Sequence, residues 1–200
     1  LAFRSGIVGA ATVMPAIFMV LLLNTQPSDS IYLHWPRGRE TIVAAVLALL
    51  LLPAMTGLSQ AVAIWLPHLL QGVHPLVVIL RGIQQGSEIN ANELARYFIA
   101  FAVVPALCEE LAFRGFILRG LHHGFRPRNA VLLSSFFFAL FHLNVFLFVP
   151  TFVFGVALGL VTVRSQSILP AILFHFLYNS VLIALIPLSR LSDSVLPQRM

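Results

Sequence analysis

Long apolar runs alternate with short polar breaks along this chain, and the run lengths suit helices. Residues 6–23 form the first. Residues 24–40 are polar, with Pro27, Pro36, Arg37 and Arg39, and read as a loop. A second, longer run covers 41–66, where Pro53, Gly57 and Ser59 predict a kink or an uneven end. Over 68–92, apolar residues alternate with His74, Arg81, Gln84, Gln85 and Glu88, which suits an interfacial amphipathic helix and then a linker. A third run begins near Leu94 and reaches about Gly120. The basic stretch 122–129 follows, holding Arg126, Pro127 and Arg128. A Phe-rich run over 131–148 comes next, with Pro150 as its expected breaker, then a short run at 151–163, a turn at 164–167 and a last run at 168–188.

A bilayer core of roughly 30 Å needs about 20 apolar residues per helix. The pattern therefore predicts an all-α, polytopic transmembrane helical bundle of about six spans. It divides into N-terminal transmembrane helices and an interfacial linker (1–93), a helical core (94–188) and a polar tail (189–200). Composition agrees. The chain is 59% hydrophobic and 10% charged, with mean hydropathy +0.94, against about 45–50% and roughly 25% for soluble domains. Too few charges remain to coat a water-soluble surface.

All twelve basic residues are Arg, against seven acids. They are scattered between apolar runs and form no aromatic-interleaved basic face. That favours anchoring at membrane lipid and speaks against nucleic acid. Six spans would put Arg37, Arg39, Arg119, Arg126, Arg128 and Arg164 on one side, and Arg4, Arg81, Arg96, Arg190 and Arg199 on the other. That division is too even to set orientation. The single Cys108 precludes an intrachain disulfide or a CxxC metal site. Residues 1–23 lack a clear small-residue cleavage site and read as a span rather than a signal peptide. Opening at Leu1 rather than Met, the chain is compatible with one module of a longer membrane polypeptide.

Of the seven acids, only Glu109 and Glu110 interrupt an apolar run. A charge at the centre of a membrane helix costs about 2.5–3.5 kcal/mol on insertion scales and normally faces a bundle interior or aqueous cavity. The bland alternative is a helix end that touches water. Arg114 lies four residues after Glu110, on the same helical face and in the favourable acid-first order. Glu109 is rotated from that face by about 100°. The spacing thus divides the labour, with Glu110 structural and Glu109 free for chemistry. His142 lies four residues after Phe138, and His175 four before Asn179. A lone His in an apolar helix is usually a satisfied core residue. Two histidines, two glutamates and an asparagine on three otherwise apolar runs argue for a site.

The segment from Glu109 through Glu110 to Arg114 resembles the EExxxR motif of the CAAX prenyl protease and bacteriocin-processing (CPBP, or Abi) family. Phe138 to His142 resembles its FxxxH motif, and His175 to Asn179 its HxxxN motif. The three occur in family order across 94–188, and none departs at a motif position. The resemblance implies a multi-pass glutamate endopeptidase of a bacterial cell membrane, acting on a peptide or lipidated-protein substrate without a cofactor. Glu109 would be the general base on a water, assisted by His142, while His175 and Asn179 hold the oxyanion. Glu110, Arg114 and Phe138 would support the site.

Three rival readings stay open on residues alone. Glu109, His142 and His175 are legitimate zinc ligands, although no HExxH helix is present. Cys108 could serve as a nucleophile, although a single Cys in an apolar run is usually a small core residue. A transporter or permease could use the acids as proton or ion sites. An amide one turn from His175 suits oxyanion binding better than a proton path. A GxxxG at Gly155 and Gly159 predicts close packing of that helix inside the bundle.

Overall fold

A computed structural model of the protein describes residues 32–65, 91–143 and 145–195. The expected first span, and the interfacial segment apart from its last two residues, lie outside the described residues. Five helical stretches follow one another: α1 (Gly38–Trp65), α2 (residues 91–122), α3 (Pro127–Phe141), α4 (Val145–Ser165) and α5 (Leu169–Val195). No strand occurs among the described residues.

At the start of α1, the Glu40 carboxylate accepts the Arg37 backbone N–H at 3.1 Å. Ala44, Ala48 and Met55 turn inward and are buried, whereas Ile42, Val43, Val46, Leu49 and Leu50 are exposed. Small residues inside and large apolar ones outside suit a helix packed in lipid. Two stretches are long and apolar enough to cross a membrane unaided, Gly38–Leu58 of α1 and Leu147–Ser165 of α4. Pro127–Phe141 and Leu169–Ala184 are apolar but shorter. The described residues thus hold two membrane-capable helices, and six spans stay an expectation.

α2 is not a uniform helix. Two wide π stretches, Ile99–Val103 and Leu111–Leu118, interrupt its α-helical turns. Pro105 supplies a cause for the first, since it lacks the N–H that would bond four residues back and its ring crowds that carbonyl. Widening the preceding turn relieves both. The second begins directly after Glu110, and such π turns occur often at functional sites. The Phe113 carbonyl within it accepts the Ser134 hydroxyl of α3 at 2.8 Å.

The expected break at Pro150 is corrected. α3 ends at Phe141, and Pro150 lies buried inside α4. His142 and Leu143 close the end of α3 by bonding Ala139 and Leu140 at 3.3 and 3.0 Å, and Leu143 takes the left-handed conformation at φ 48°. A left-handed residue ends a helix as a proline does, but a leucine there gives no sequence signal. Beyond this break α4 returns against α3. A Cβ on Gly155 would lie 3.1 Å from Ser135 Cβ, and one on Gly159 3.0 Å from Val131 Cγ1. The GxxxG therefore packs inside the bundle, as expected. All five helices contribute to one core, which includes Ala48, Phe113, Phe138, Phe154, Leu158 and Phe174.

One end of the bundle is clamped through Tyr32, which is buried and left-handed at φ 56°. Its carbonyl accepts the Ile168 N–H at 3.0 Å, its hydroxyl bonds His122 Nδ1, and the Arg119 guanidinium lies 4.6 Å above its ring. Burial, then Arg119, pushes the His122 imidazole below its usual range. The Pro127 carbonyl partly offsets this, though the buried Nε2 forms no well-aligned hydrogen bond. The folded state then binds fewer protons than the unfolded one below the ordinary histidine value of about 6.5. This contribution to stability is complete above that pH and lost as pH falls through it. The melting temperature should fall between pH 7 and 5.5, and by less in His122→Gln. Equal slopes for the two proteins in a pH series of melts would contradict the clamp's role.

Candidate active site

Glu110 is fully buried, and one of its oxygens carries two partners. Oε1 accepts Arg114 Nη1–H at 3.0 Å along α2, and His175 Nδ1–H at 2.8 Å from α5. Arg114, also buried, donates through Nη2 to the Gly155 carbonyl of α4 at 3.1 Å. The close approach of α4 to α3 at Gly155 sets that carbonyl within reach. Under the guanidinium lies the Phe138 ring of α3, 4.3 Å from Cζ to the ring centroid. One carboxylate, one guanidinium and one imidazole thus tie four helices together. The expected Glu110–Arg114 pair is present. Its extension to His175 and Gly155 escaped the sequence reading, although the GxxxG marked where α4 comes close.

Glu109 points elsewhere. Its Oε2 lies 4.0 Å from His142 Nε2, and both side chains are partly exposed, at 17% and 29% against 0% for Glu110. His142 sits at the C-terminus of α3, and its Nδ1–H donates to the Phe138 carbonyl at 2.8 Å. That bond sets the tautomer. In the neutral ring, Nε2 is left with a lone pair directed at Glu109. Phe138 therefore serves both pairs, with its carbonyl holding His142 and its ring under Arg114. The ring also meets His142 edgewise at 4.8 Å.

His175 is buried between Phe138 and Phe154, whose ring lies 5.2 Å away at 80°. Phe154 carried no signal in the sequence. Asn179 follows one turn along α5, half-buried. The structure thus brings Glu109 to His142 and Glu110 to His175, as two separate pairs. Cys108, beside Glu109, is half-buried and free. No three His, Cys, Asp or Glu side chains among the described residues converge as a metal-binding group.

Removing one partner of a buried ion pair costs about 3–5 kcal/mol, because the other is left uncompensated. Arg114→Ala would strand Glu110 and, through it, His175. It should lower the melting temperature sharply as well as the activity. A thermal melt unchanged from the parent would show that the cluster does not hold the bundle.

Against known proteins, the family model described as "Type II CAAX prenyl endopeptidase Rce1-like" matches residues 91–181. This stretch contains both pairs, Arg114, Phe138 and Asn179. No curated protein and no solved structure matches the chain.

Proposed function

The chain belongs, through residues 91–181, to the Rce1-like family of type II CAAX prenyl endopeptidases, and from this membership and the separation of its two glutamates we propose that it hydrolyses a peptide bond with water activated by Glu109. The match supports a membrane-embedded CAAX-type protease. The mechanism is our reading, and the observation that carries it is the partly exposed Glu109–His142 pair beside a fully buried Glu110.

Ionised Glu109 and neutral His142 Nε2 are both acceptors, 4.0 Å apart. A water hydrogen-bonded at about 2.8 Å to each would subtend about 90° between them, close to the angle between its own O–H bonds. One hydrogen then points to each acceptor, and an oxygen lone pair is left for the scissile carbonyl. As the water oxygen bonds to the carbonyl carbon, its proton passes to Glu109. When the tetrahedral intermediate collapses and the C–N bond breaks, the same proton moves from Glu109 to the departing nitrogen.

The oxyanion falls to Asn179 and His175, although the two differ in kind. Asn179 offers an amide N–H at any pH. His175 already donates through Nδ1 to Glu110, so it presents an Nε2–H only as an imidazolium. No metal is required in this scheme. The substrate is a peptide or lipidated protein that enters from the membrane.

Glu109→Gln should abolish cleavage while the protein stays folded in the membrane. Full single-turnover cleavage of a peptide by a folded Glu109→Gln protein would end the assignment. Asn179→Ala should slow turnover by about 10²–10³-fold with substrate affinity little changed, since one oxyanion donor acts mainly in the transition state. Exhaustive dialysis against a chelator should leave turnover intact. Activity lost with the last stoichiometric zinc, and regained with it, would replace the glutamate mechanism by a metal one.

A further inference from the structure

The two helices able to cross a bilayer meet at one end of the bundle, and that end is basic. The α1 span starts at Gly38, directly after Arg37, and the α4 span ends at Ser165, directly after Arg164. The Tyr32 clamp joins these ends, for its carbonyl bonds Ile168 and its hydroxyl bonds His122, while the Ser167 hydroxyl bonds the His34 carbonyl. The turn between α2 and α3 is thereby brought to the same rim. Arg37, Arg39, Arg126, Arg128 and Arg164 are exposed there. Among the described residues the rim's acid is Glu40, whose carboxylate already accepts the Arg37 backbone N–H.

Two large aromatic side chains stand among these arginines. Trp35 is 94% exposed and Phe125 49%. In water such exposure is unfavourable. At the depth of lipid headgroups, an indole beside arginines sits in the environment that amphipathic rings prefer. A basic rim alone would also suit nucleic acid. Its position at the ends of two membrane-capable helices, and the apolar rings within it, select a lipid surface instead.

We propose that this rim binds anionic phospholipid headgroups of the cytoplasmic leaflet, with the five arginines on phosphates and with Trp35 and Phe125 inserted beside them. Arginine's planar fork matches phosphate, and basic residues gathered beside the ends of membrane spans favour the cytoplasmic side. Each basic residue near an anionic surface strengthens binding roughly fivefold. The clustering in space, more than the count along the chain, gives the orientation. The proposal is independent of the protease mechanism.

The test uses the full chain in two ways. In detergent, phosphatidylglycerol should raise the melting temperature more than phosphatidylcholine does. The difference should shrink as salt is raised and in a variant carrying Arg126→Gln, Arg128→Gln and Arg164→Gln. Equal stabilisation by the two lipids in the parent protein would overturn the proposal, whether or not that variant folds. So would retention of a single-stranded oligonucleotide without preference for the anionic lipid. In cells, Gly124→Cys in a Cys108→Ser background places a thiol on the exposed rim, where a Cβ meets nothing within 4 Å. A membrane-impermeant maleimide should label it only after lysis. Labelling in intact cells would put the rim on the outer face and overturn the orientation.

Discussion

A buried carboxylate shared by a guanidinium and an imidazole is the constraint on which the rest of this structure depends. Taking Glu110 and Arg114 out of water costs several kcal/mol per ion, and their attraction offsets that only with good geometry and further hydrogen bonds. Here those bonds come from His175 on α5 and the Gly155 carbonyl on α4. The helical core can therefore assemble only when α2, α4 and α5 are in register, and Phe138 of α3 fills the space beneath the guanidinium. A polar cluster of this kind specifies one arrangement among the many that apolar helices could adopt in lipid. It also takes up Glu110 Oε1 with two partners, while Oε2 is buried without one, and it leaves Glu109 outside the cluster.

Adjacent residues on a helix point about 100° apart, and the bundle uses that angle to give two glutamates two environments. Glu110 turns into the core. Glu109 turns to a partly exposed position at the end of α3, where the chain breaks and His142 caps the helix. The bond from His142 to the Phe138 carbonyl leaves its second nitrogen available to a water or a substrate. An open acceptor pair lies one residue away from a closed ion cluster, and that contrast is the structural basis for the proposed reaction.

Much of this was legible in the residues. The spacing of Glu110 and Arg114 gave their pairing, and the rotation of Glu109 gave its separation from them. The GxxxG gave the close approach of α4. Less legible were features set by backbone conformation. A left-handed Leu143 ends α3 where the sequence offers neither glycine nor proline, so Pro150 was the more visible but mistaken breaker. The π turns of α2 carried no sequence expectation either, although Pro105 supplies a local cause for the first. The pairing of His175 with Glu110 depends on how α5 lies against α2. No spacing within either helix encodes that.

The central claim is that Arg114 is coupled far more strongly to Glu110, which it bonds directly, than to Glu109. Double-mutant cycles on unfolding free energy, pairing Arg114→Ala with Glu110→Gln and then with Glu109→Gln, test it most directly. The account predicts a coupling of about 1–3 kcal/mol for Glu110, and none beyond about 0.5 kcal/mol for Glu109. Equal couplings for the two glutamates would contradict it.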